Sequence, residues 1–283
     1  MTIELASFFK KKGFIYPSSE IYGGLAGFYD YGHMGTLLKR NFENLWRKYF
    51  LSLNPNYFEI ETANVMHEKV FKASGHLENF IDPIVNCSKC NFNDRADHFV
   101  ESHLDKKVEG FSQEQLTELI NETGLKCPKC QSNFKPVSVI NMMFPLKMGV
   151  GSANTSYLRP ETAQSPYVNF KLQYELLRKK LPLGLALIGR AYRNEISPRN
   201  LTLRQREFTQ AELQIFFNPA KVNEHKHFDL VKDYKLRTML VEDRESEIKE
   251  KTAQELVDSG LPKFYVYHLV KIQQFYLDLM KVP

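Results

Sequence analysis

The chain has 283 residues, of which 43% are hydrophobic and 13% aromatic, a composition that excludes a disordered or low-complexity protein. The net charge of +5 is compatible with a partner that carries phosphate groups but does not by itself indicate one. No apolar stretch reaches the roughly 18 residues of a membrane-spanning helix, and the first residues, MTIELASFFKKKGF, do not resemble a secretory signal, so we expect a cytoplasmic protein with no membrane contact.

The first elements of the chain are predicted to be two helices separated by a glycine-rich segment. Residues 2–12 indicate a short helix, and EIYGGLAGFYDYGHMG then places five glycines between positions 23 and 35. Such a density is typical of turns in which backbone lies close to backbone or to a ligand. From Gly35 to Leu51 apolar residues recur at steps of three and four, which predicts one long amphipathic helix. YFEIET at 57–62 alternates like a strand.

All the cysteines lie in two CxxC pairs, CSKC at 87–90 and CPKC at 127–130. Two residues between thiols allow a tight turn to direct both sulfur atoms at one point, and two such turns supply the thiolate set that zinc favours. A disulfide or a redox pair is the alternative, but an intracellular chain disfavours the first and the matched second pair disfavours the second. The predicted zinc ligands are Cys87, Cys90, Cys127 and Cys130. With four protein ligands the metal would be structural.

The 36-residue gap between the pairs requires a small subdomain. Ser112 and Gln115 form a capping-box pattern, and Gly124 is a plausible helix stop, so a short helix is expected between the zinc knuckles. We therefore assign residues 86–136 to a zinc-binding insertion.

The second half of the chain predicts a strand at 137–144, a helix around 163–180 and two strands at 183–195 and 203–217. Turn residues between these two strands indicate a hairpin with a long polar loop. Residues 220–259 are charged and favour helix, and 263–281 predict another helix. Strands and helices without regular alternation indicate an α+β fold with an antiparallel sheet flanked by helices, and the lack of GxGxxG after a strand excludes a Rossmann domain.

The hairpin carries the densest set of chemically capable side chains. Its charged members are Arg193, Glu195, Arg199, Arg204, Arg206 and Glu207. Guanidinium groups this close together repel one another unless a polyanion lies among them, which would suit phosphate binding. The alternative is a solvated hairpin in which arginine and glutamate pair across strands. Spacing alone does not separate the two interpretations.

A resemblance to a known family favours the phosphate-binding interpretation of the hairpin. GRAYRNEISPRN followed by LRQREFTQAEL resembles motif 2 of the class II aminoacyl-tRNA synthetases, in the form found in glycyl-tRNA synthetases. EIYGGLAGFYDYGHMG, FKASGHLENFIDP and LRPETAQ resemble successive blocks of the same family, in the same order. The resemblance implies a class II antiparallel sheet with a zinc-knuckle insertion. It divides the chain into a first part of the catalytic core with motif 1 (1–85), the zinc insertion (86–136), the core with motif 2 (137–219) and a helical segment (220–283).

The resemblance implies roles for individual residues. Arg193 matches the arginine that contacts the α-phosphate of ATP, Glu195 matches a residue near the adenine, and Phe208 matches the aromatic that stacks on it. Arg193 and Glu195 are thus the predicted catalytic residues. The predicted ATP contacts are Arg193, Asn194, Glu195, Leu203, Arg204, Gln205, Arg206, Glu207 and Phe208. The predicted glycine contacts are Arg95, Glu161, Phe208, Thr209, Gln210 and Glu212.

The activity implied is a two-step ligase reaction. Glycine and ATP, with Mg²⁺, give glycyl-adenylate, and the glycyl group then passes to tRNA(Gly). The helix at 35–51 and the strand after it resemble motif 1, which implies a homodimer. The zinc-ribbon nucleic-acid binder and the catalytically inactive, synthetase-like accessory protein are alternatives. An inactive accessory protein should lack the motif 2 arginine and the stacking aromatic, and both are present here.

The sequence departs from the family pattern at four positions, namely His33, Ser165, Leu187 and Gln214. Proline, glycine, glutamine and glutamate, respectively, are common there. The glycine-rich segment of motif 3 and an anticodon-binding domain are also missing from this sequence. We therefore expect the 283 residues to be the N-terminal catalytic portion of a longer enzyme and to be inactive alone.

Overall fold

The structure is a computed structural model that describes residues 2–104, 106–149, 155–198, 201–241 and 247–282. Among these residues, every helix is too short or too polar to span a lipid bilayer. The helices are α1 (Thr2–Lys11), α2 (His33–Leu51), α3 (Glu68–Ala73), α4 (His76–Asn79), α5 (Ala96–His103), α6 (Gln113–Glu122), α7 (Gln164–Leu176), α8 (Ala253–Asp258) and α9 (Lys263–Gln273). The chain forms two compact units. The first comprises Met1–Arg47, Glu59–Lys171 and Ala186–Leu213, and the second comprises Lys48–Phe58, Leu172–Leu185 and Gln214–Pro283.

The described strands form small sheets. They are β1 (Ile15–Pro17), β2 (Tyr29–Tyr31), β3 (Tyr57–Glu59), β4 (Val65–His67), β5 (Ile81–Asn86), β6 (Asn93–Arg95), β7 (Ser138–Asn141), β8 (Phe144–Lys147), β9 (Thr155–Leu158), β10 (Leu183–Tyr192), β11 (Glu207–Phe216), β12 (Lys235–Thr238) and β13 (Lys249–Thr252). The sheet orders are β1-β2, β11-β10-β3, β4-β9-β8, β6-β5-β7 and β12-β13. The pairings of β1 with β2, β9 with β4 and β8, β5 with β6 and β7, and β12 with β13 are antiparallel. The predicted α+β class with antiparallel sheets is confirmed.

Close backbone approaches explain the glycine-rich segment. A Cβ atom on Gly32 would lie 2.3 Å from the carbonyl oxygen of Gly13, and one on Gly35 would lie 2.0 Å from that of Phe14. Both distances are far below van der Waals contact, so only glycine lets the start of α2 lie against the end of α1. The predicted packing of backbone against backbone is confirmed.

The insertion has a hydrophobic core of its own. Val85, Phe99, Val100, Leu116 and Ile120 are among its buried members. The Ser112 hydroxyl accepts a hydrogen bond from the Gln115 backbone N–H, and the Gln115 side chain accepts one from the Ser112 N–H, which confirms the capping box and the helix that it begins. Helix α5 was not predicted, although its buried face contributes to the same core.

In the second unit the prediction of helix over 220–259 is wrong for most of its length. Strands β12 and β13 pair with each other there, and among the described residues of 220–259 only Ala253–Asp258 forms an α-helix. Leu236 is buried in a cluster with Leu256, Val266 and Val270, while the charged neighbours of Leu236 are exposed. The burial of one leucine on a short alternating segment outweighs the helix propensity of its lysines. In the first unit, one strand was predicted at 137–144, but the structure has two there, β7 at Ser138–Asn141 and β8 at Phe144–Lys147.

Candidate functional site

The hairpin of β10 and β11 borders a cavity of about 550 Å³ in the first unit. Its lining residues are Tyr31, Arg193, Glu195, Thr202, Leu203, Arg204, Gln205, Phe208 and Thr209. All of them except Tyr31 and Thr202 were predicted from the sequence to contact ATP or glycine. The structure therefore brings these predicted residues together in one place, while the identity of what they bind stays a prediction.

Arg193 is held by contacts on several sides. Its guanidinium carbon lies 5.5 Å from the ring centroid of Phe80 and 5.3 Å from that of Phe208. Its Nε donates a 3.0 Å hydrogen bond to the carbonyl oxygen of Pro160, and its Nη2 lies 4.0 Å from Oε2 of Glu161. The aromatic faces attract the cation, and the single carbonyl bond orients it. Because guanidinium has five N–H donors, groups remain to bind an anion in the cavity.

Glu161 lies beside that cation and has two further neighbours that can donate. Its Oε1 accepts a 2.7 Å hydrogen bond from Nε2 of Gln164 and lies 3.4 Å from Nε2 of His76. A carboxylate oriented in this way is suited to an ammonium group. His76 and Gln164 were not assigned roles from the sequence. Arg193, which suits an anion, thus lies next to Glu161, which suits a cation.

The turn after β9 is fastened to β11 by side-chain hydrogen bonds. The Thr162 hydroxyl donates to Oε2 of Glu212 at 2.6 Å, and the Thr162 N–H donates to Oε1 of Gln210 at 2.9 Å. The buried atoms Oε1 of Gln164 and Oγ1 of Thr209 have no hydrogen-bond partner among the described residues. Such unsatisfied buried atoms are uncommon, and near a cavity they indicate a place where a ligand or water completes the hydrogen bonding.

Arg204 and Arg206 differ in their surroundings. Nε of Arg204 lies 3.6 Å from Oε2 of Glu195, and both residues line the cavity. Arg206 instead donates from Nε and Nη2 to the carbonyl oxygen of Glu195, at 3.0 and 2.8 Å, and from Nη1 to that of Ala26, at 3.2 Å. A phosphate bound by Arg206 would compete with these bonds. Its structural role is to connect the hairpin to the glycine-rich segment, where Gly27 accepts the Arg206 N–H at 2.7 Å.

Other predicted contacts lie outside this cavity. Asn194 lines a neighbouring cavity with Glu68 and Tyr157, and its backbone N–H donates to the carbonyl oxygen of Met142 at 2.7 Å. Glu207 faces Arg190, with 3.5 Å between Oε1 and Nη1. Arg199 of the predicted cluster lies outside the described residues.

Arg95 is already paired with carboxylates. Its Nε and Nη2 each donate to Asp97 at 2.8 Å, and Nη1 lies 3.3 Å from Oδ1 of Asp82. Burial opposes the charge on Asp97, but the guanidinium keeps the pKa of that carboxyl below its usual value. A substrate contact by Arg95 stays a prediction. These contacts connect Arg95, at the end of β6, to Asp97 on α5 and Asp82 on β5.

No role was predicted from the sequence for Arg159, which is 1% exposed and has the largest fully buried side chain among the described residues. Its Nε donates to the carbonyl oxygen of Arg190 at 2.7 Å, and its Nη1 donates to the hydroxyl oxygens of Thr62 at 2.7 Å and Ser165 at 3.2 Å. Burial lowers the pKa of this guanidinium. Among the described residues, no carboxylate lies within ion-pair distance of it. The available signal was an arginine directly before a proline at the end of a strand, in YLRPET.

The cysteine side chains converge as predicted. The Sγ atoms of Cys87, Cys90, Cys127 and Cys130 all lie within 4.8 Å of one another. The backbone N–H groups of Cys90 and Lys89 each donate to Sγ of Cys87 at 3.4 Å and lower the pKa of that thiol. Hydrogen bonds from Ser132 lower the pKa of Cys130 to about 6. Four converging thiols, of which Cys87 and Cys130 have their thiolate form stabilised in this way, fit a soft divalent metal with tetrahedral coordination.

Comparisons with known proteins all find similarity to aminoacyl-tRNA synthetases. The family described as tRNA synthetase class II core domain (G, H, P, S and T) matches residues 150–254. The glycine--tRNA ligases of Thermococcus gammatolerans and Pyrococcus abyssi are each 47% identical to this chain over 279 residues, covering 97% of this chain and 48% of those proteins. That of Methanococcus maripaludis strain C7 is 45% identical over 84% of this chain and 41% of its own length. The chain spans about half the length of the curated relatives it matches.

A solved structure described as the RNA binding domain of threonyl-tRNA synthetase from Cryptosporidium parvum Iowa II is 16% identical to this chain. The aligned region covers 80% of this chain and 39% of the threonyl-tRNA synthetase chain, with a TM-score of 0.47.

Proposed function

The chain belongs to the glycine--tRNA ligase family of class II synthetases, and we propose that it supplies the site at which glycine is activated by ATP. The observation that carries this proposal is the position of Arg193 between Phe80 and Phe208, with Glu161 beside it. A cation for a phosphate and a carboxylate for an ammonium thus lie side by side. Glycyl-adenylate presents those two charged groups a few bonds apart.

In the first step, a carboxylate oxygen of glycine attacks the α-phosphorus of ATP, and the bond to the bridging oxygen breaks to release pyrophosphate. Arg193 stabilises the negative charge that develops on the α-phosphoryl oxygens. Phe208 stacks on the adenine, and Glu195 lies beside it. Mg²⁺ would neutralise charge on the departing pyrophosphate. The protein supplies no nucleophile, so positioning and electrostatics account for the rate.

Glycine is recognised through its ammonium group. Glu161 directly precedes Thr162, and Glu212 accepts a hydrogen bond from the Thr162 hydroxyl, while Gln164 donates one to Glu161. A rigid pocket that leaves no room for a methyl group excludes alanine and serine by steric clash. In the second step, a hydroxyl of the terminal ribose of tRNA(Gly) attacks the carbonyl carbon of glycyl-adenylate, and AMP leaves.

The remaining assignments concern the assembly. The four cysteines would hold a structural zinc ion, and thiolate ligands of this kind suit the reducing cytoplasm. A homodimer is proposed because α2 and β3 resemble motif 1. Leu37 and Leu38 on α2 are 56% and 62% exposed, which leaves apolar surface for a second copy.

A pair of adenylate analogues tests the proposal without requiring turnover. The chain should bind the glycyl sulfamoyl-adenosine at least about tenfold more tightly than its alanyl counterpart, measured by isothermal titration calorimetry. Arg193→Gln should weaken both analogues, whereas Arg190→Gln, a matched change at a partly exposed arginine outside the cavity lining, should leave both nearly unchanged. Equal binding of the two analogues would contradict glycine specificity, and binding of neither would contradict the adenylation site itself.

A further inference from the structure

The second unit contains a cavity that the proposed reaction does not use. Its volume is about 390 Å³, within the ~300–1,000 Å³ range of small-molecule sites. It is lined by the segment after α2, by residues just before β10, by the 3-10 turn after β11 and by Phe264 on α9. It shares no lining residue with the hairpin cavity.

The charges around this second cavity are unbalanced. Lys180, Lys221 and Lys226 line it, against one carboxylate, that of Glu224. Glu224 lies 3.7 Å from Lys221, and among the described residues Lys180 and Lys226 form no ion pair. Two ammonium groups without a counter-charge face one cavity, which makes it electropositive and suited to an anion.

The wall beside these lysines is aromatic. Phe264 stacks on Phe217 with 4.6 Å between the ring centroids, and His225 stacks on Tyr267 at 3.7 Å. Phe264 and His225 meet edge to face at 5.6 Å. Aromatic faces next to ammonium groups are the combination that binds a base together with its phosphate.

His225 lies in a field of cations. Burial, followed by the charges of His268, His227, Lys226 and Lys271, lowers its pKa to about 4, with no carboxylate among these neighbours. Its Nδ1 accepts the His227 N–H at 3.3 Å, so the proton of the neutral ring is on Nε2. The imidazole therefore adds a neutral donor to the cationic wall at neutral pH.

We propose that the second unit binds a nucleotide through its phosphate, in the cavity lined by Lys180, Lys226, His225 and Phe264. The lysines contact the phosphate oxygens, and the aromatic wall contacts the base. The nucleotide is either a free mononucleotide or one residue of an RNA strand, since both offer the same phosphate and base.

NMR of the histidine side chains in the full chain tests this site directly. The probes are 5′-AMP, a single-stranded RNA pentanucleotide and inorganic phosphate, each titrated at low salt into the wild type and into Arg193→Gln, which removes the cation of the hairpin cavity. We expect the His225 resonances, identified with His225→Gln, to shift saturably with 5′-AMP or the pentanucleotide in both proteins. The pKa of His225 should rise when the anion is bound.

Substitutions separate a site from general attraction to a basic surface. The double variant Lys180→Gln with Lys226→Gln should weaken nucleotide binding about tenfold or more. The control is Lys171→Gln with Lys232→Gln, which makes the same change of charge at exposed positions outside the cavity lining. It should weaken binding less than about twofold. Pentanucleotide binding tenfold tighter than 5′-AMP supports an RNA strand, and equal binding supports a free nucleotide. The proposal is overturned if no probe shifts His225, if the two double variants behave alike, or if inorganic phosphate binds as tightly as 5′-AMP.

Discussion

Nε of Arg193 donates a 3.0 Å hydrogen bond to the carbonyl oxygen of Pro160, although the two residues follow different strands and are 33 positions apart. Pro160 directly precedes Glu161, so this bond fixes the distance between the cation and the carboxylate of the candidate site. The positions of the two charged groups are therefore coupled through one backbone carbonyl.

Arg193→Lys should weaken ATP binding although it keeps the charge. A lysine ammonium is a point charge that cannot donate to the Pro160 carbonyl and also present a planar group between Phe80 and Phe208. A loss of about tenfold in ATP affinity is expected, equivalent to one charge-assisted hydrogen bond of ~1.5 kcal/mol. Equilibrium dialysis with labelled ATP measures it, with Arg190→Lys as the control. An unchanged affinity would show that Arg193 acts only as a positive charge.

His76→Ala should weaken glycyl-adenylate analogue binding more than ATP binding. Nε2 of His76 lies 3.4 Å from Glu161, and its Nδ1 lies 2.9 Å from the Ser74 hydroxyl, so the ring connects a loop to the carboxylate. Loss of this neighbour should lower analogue affinity about threefold to tenfold. His76→Gln, which retains a donor, should recover part of it, and His103→Gln in the insertion serves as the control. Equal losses for ATP and the analogue would indicate a general structural role.

Arg159→Leu should destabilise the fold strongly. The substitution removes the donor from the buried Ser165 hydroxyl and from the partly buried Thr62 hydroxyl and Arg190 carbonyl oxygen, at a cost of about 3 kcal/mol or more. Urea unfolding measures the change in the free energy of unfolding. Arg190→Leu, at a partly exposed position, should cost less than about 1 kcal/mol.

Gly189→Ala tests the packing around the buried Arg159 guanidinium. A Cβ atom there would lie 2.2 Å from Nη2 of Arg159. The alanine should therefore be costly in the wild type and much less costly in an Arg159→Met background, and a double-mutant cycle gives the coupling. Additive effects would show that the two positions do not interact.

Cys87→Ser should remove a bound metal and loosen the insertion. We expect one zinc ion per chain in protein purified under reducing conditions, measured by inductively coupled plasma mass spectrometry. The variant should lose the zinc, and amides around Phe99 and Leu116 should exchange faster, because the insertion core is small. Ser88→Ala, which removes a hydrogen bond to Asn133 but no ligand, is the matched control. Metal-free wild type with unchanged amide protection would refute a structural metal.

The stability of the second unit should fall as pH falls from about 6.5 to 4. His225 has a pKa of about 4 in the folded chain and about 6.5 when unfolded, so the unfolded state takes up the proton first on acidification. Because the ring is only half buried, we expect a loss of about 1–2 kcal/mol. His225→Phe, which keeps a ring against Tyr267, should flatten this part of the curve relative to His103→Gln. Parallel curves would contradict the shift.

Local sequence determined the features whose residues are close together along the chain. The CxxC spacing predicts converging thiols because each turn involves four residues, and the Ser112–Gln115 capping box predicts a helix start because its bonds span three. The β10–β11 hairpin concentrates Arg193, Glu195 and Phe208 within 16 positions, so its chemistry and its family resemblance were legible before any fold was known.

Tertiary structure decided the roles that depend on distant partners. Arg204 and Arg206 are two positions apart and look alike in the sequence, yet Arg206 is bound to the carbonyl of Ala26, 180 positions away. Arg159 finds the Thr62 hydroxyl 97 positions away, and Leu236 becomes a strand residue only because α8 and α9 bury it. Periodicity and propensity describe a residue's neighbours along the chain. They carry no information on which distant carbonyl, hydroxyl or apolar surface the folded chain brings to it, and that is what separates a ligand-facing arginine from a structural one.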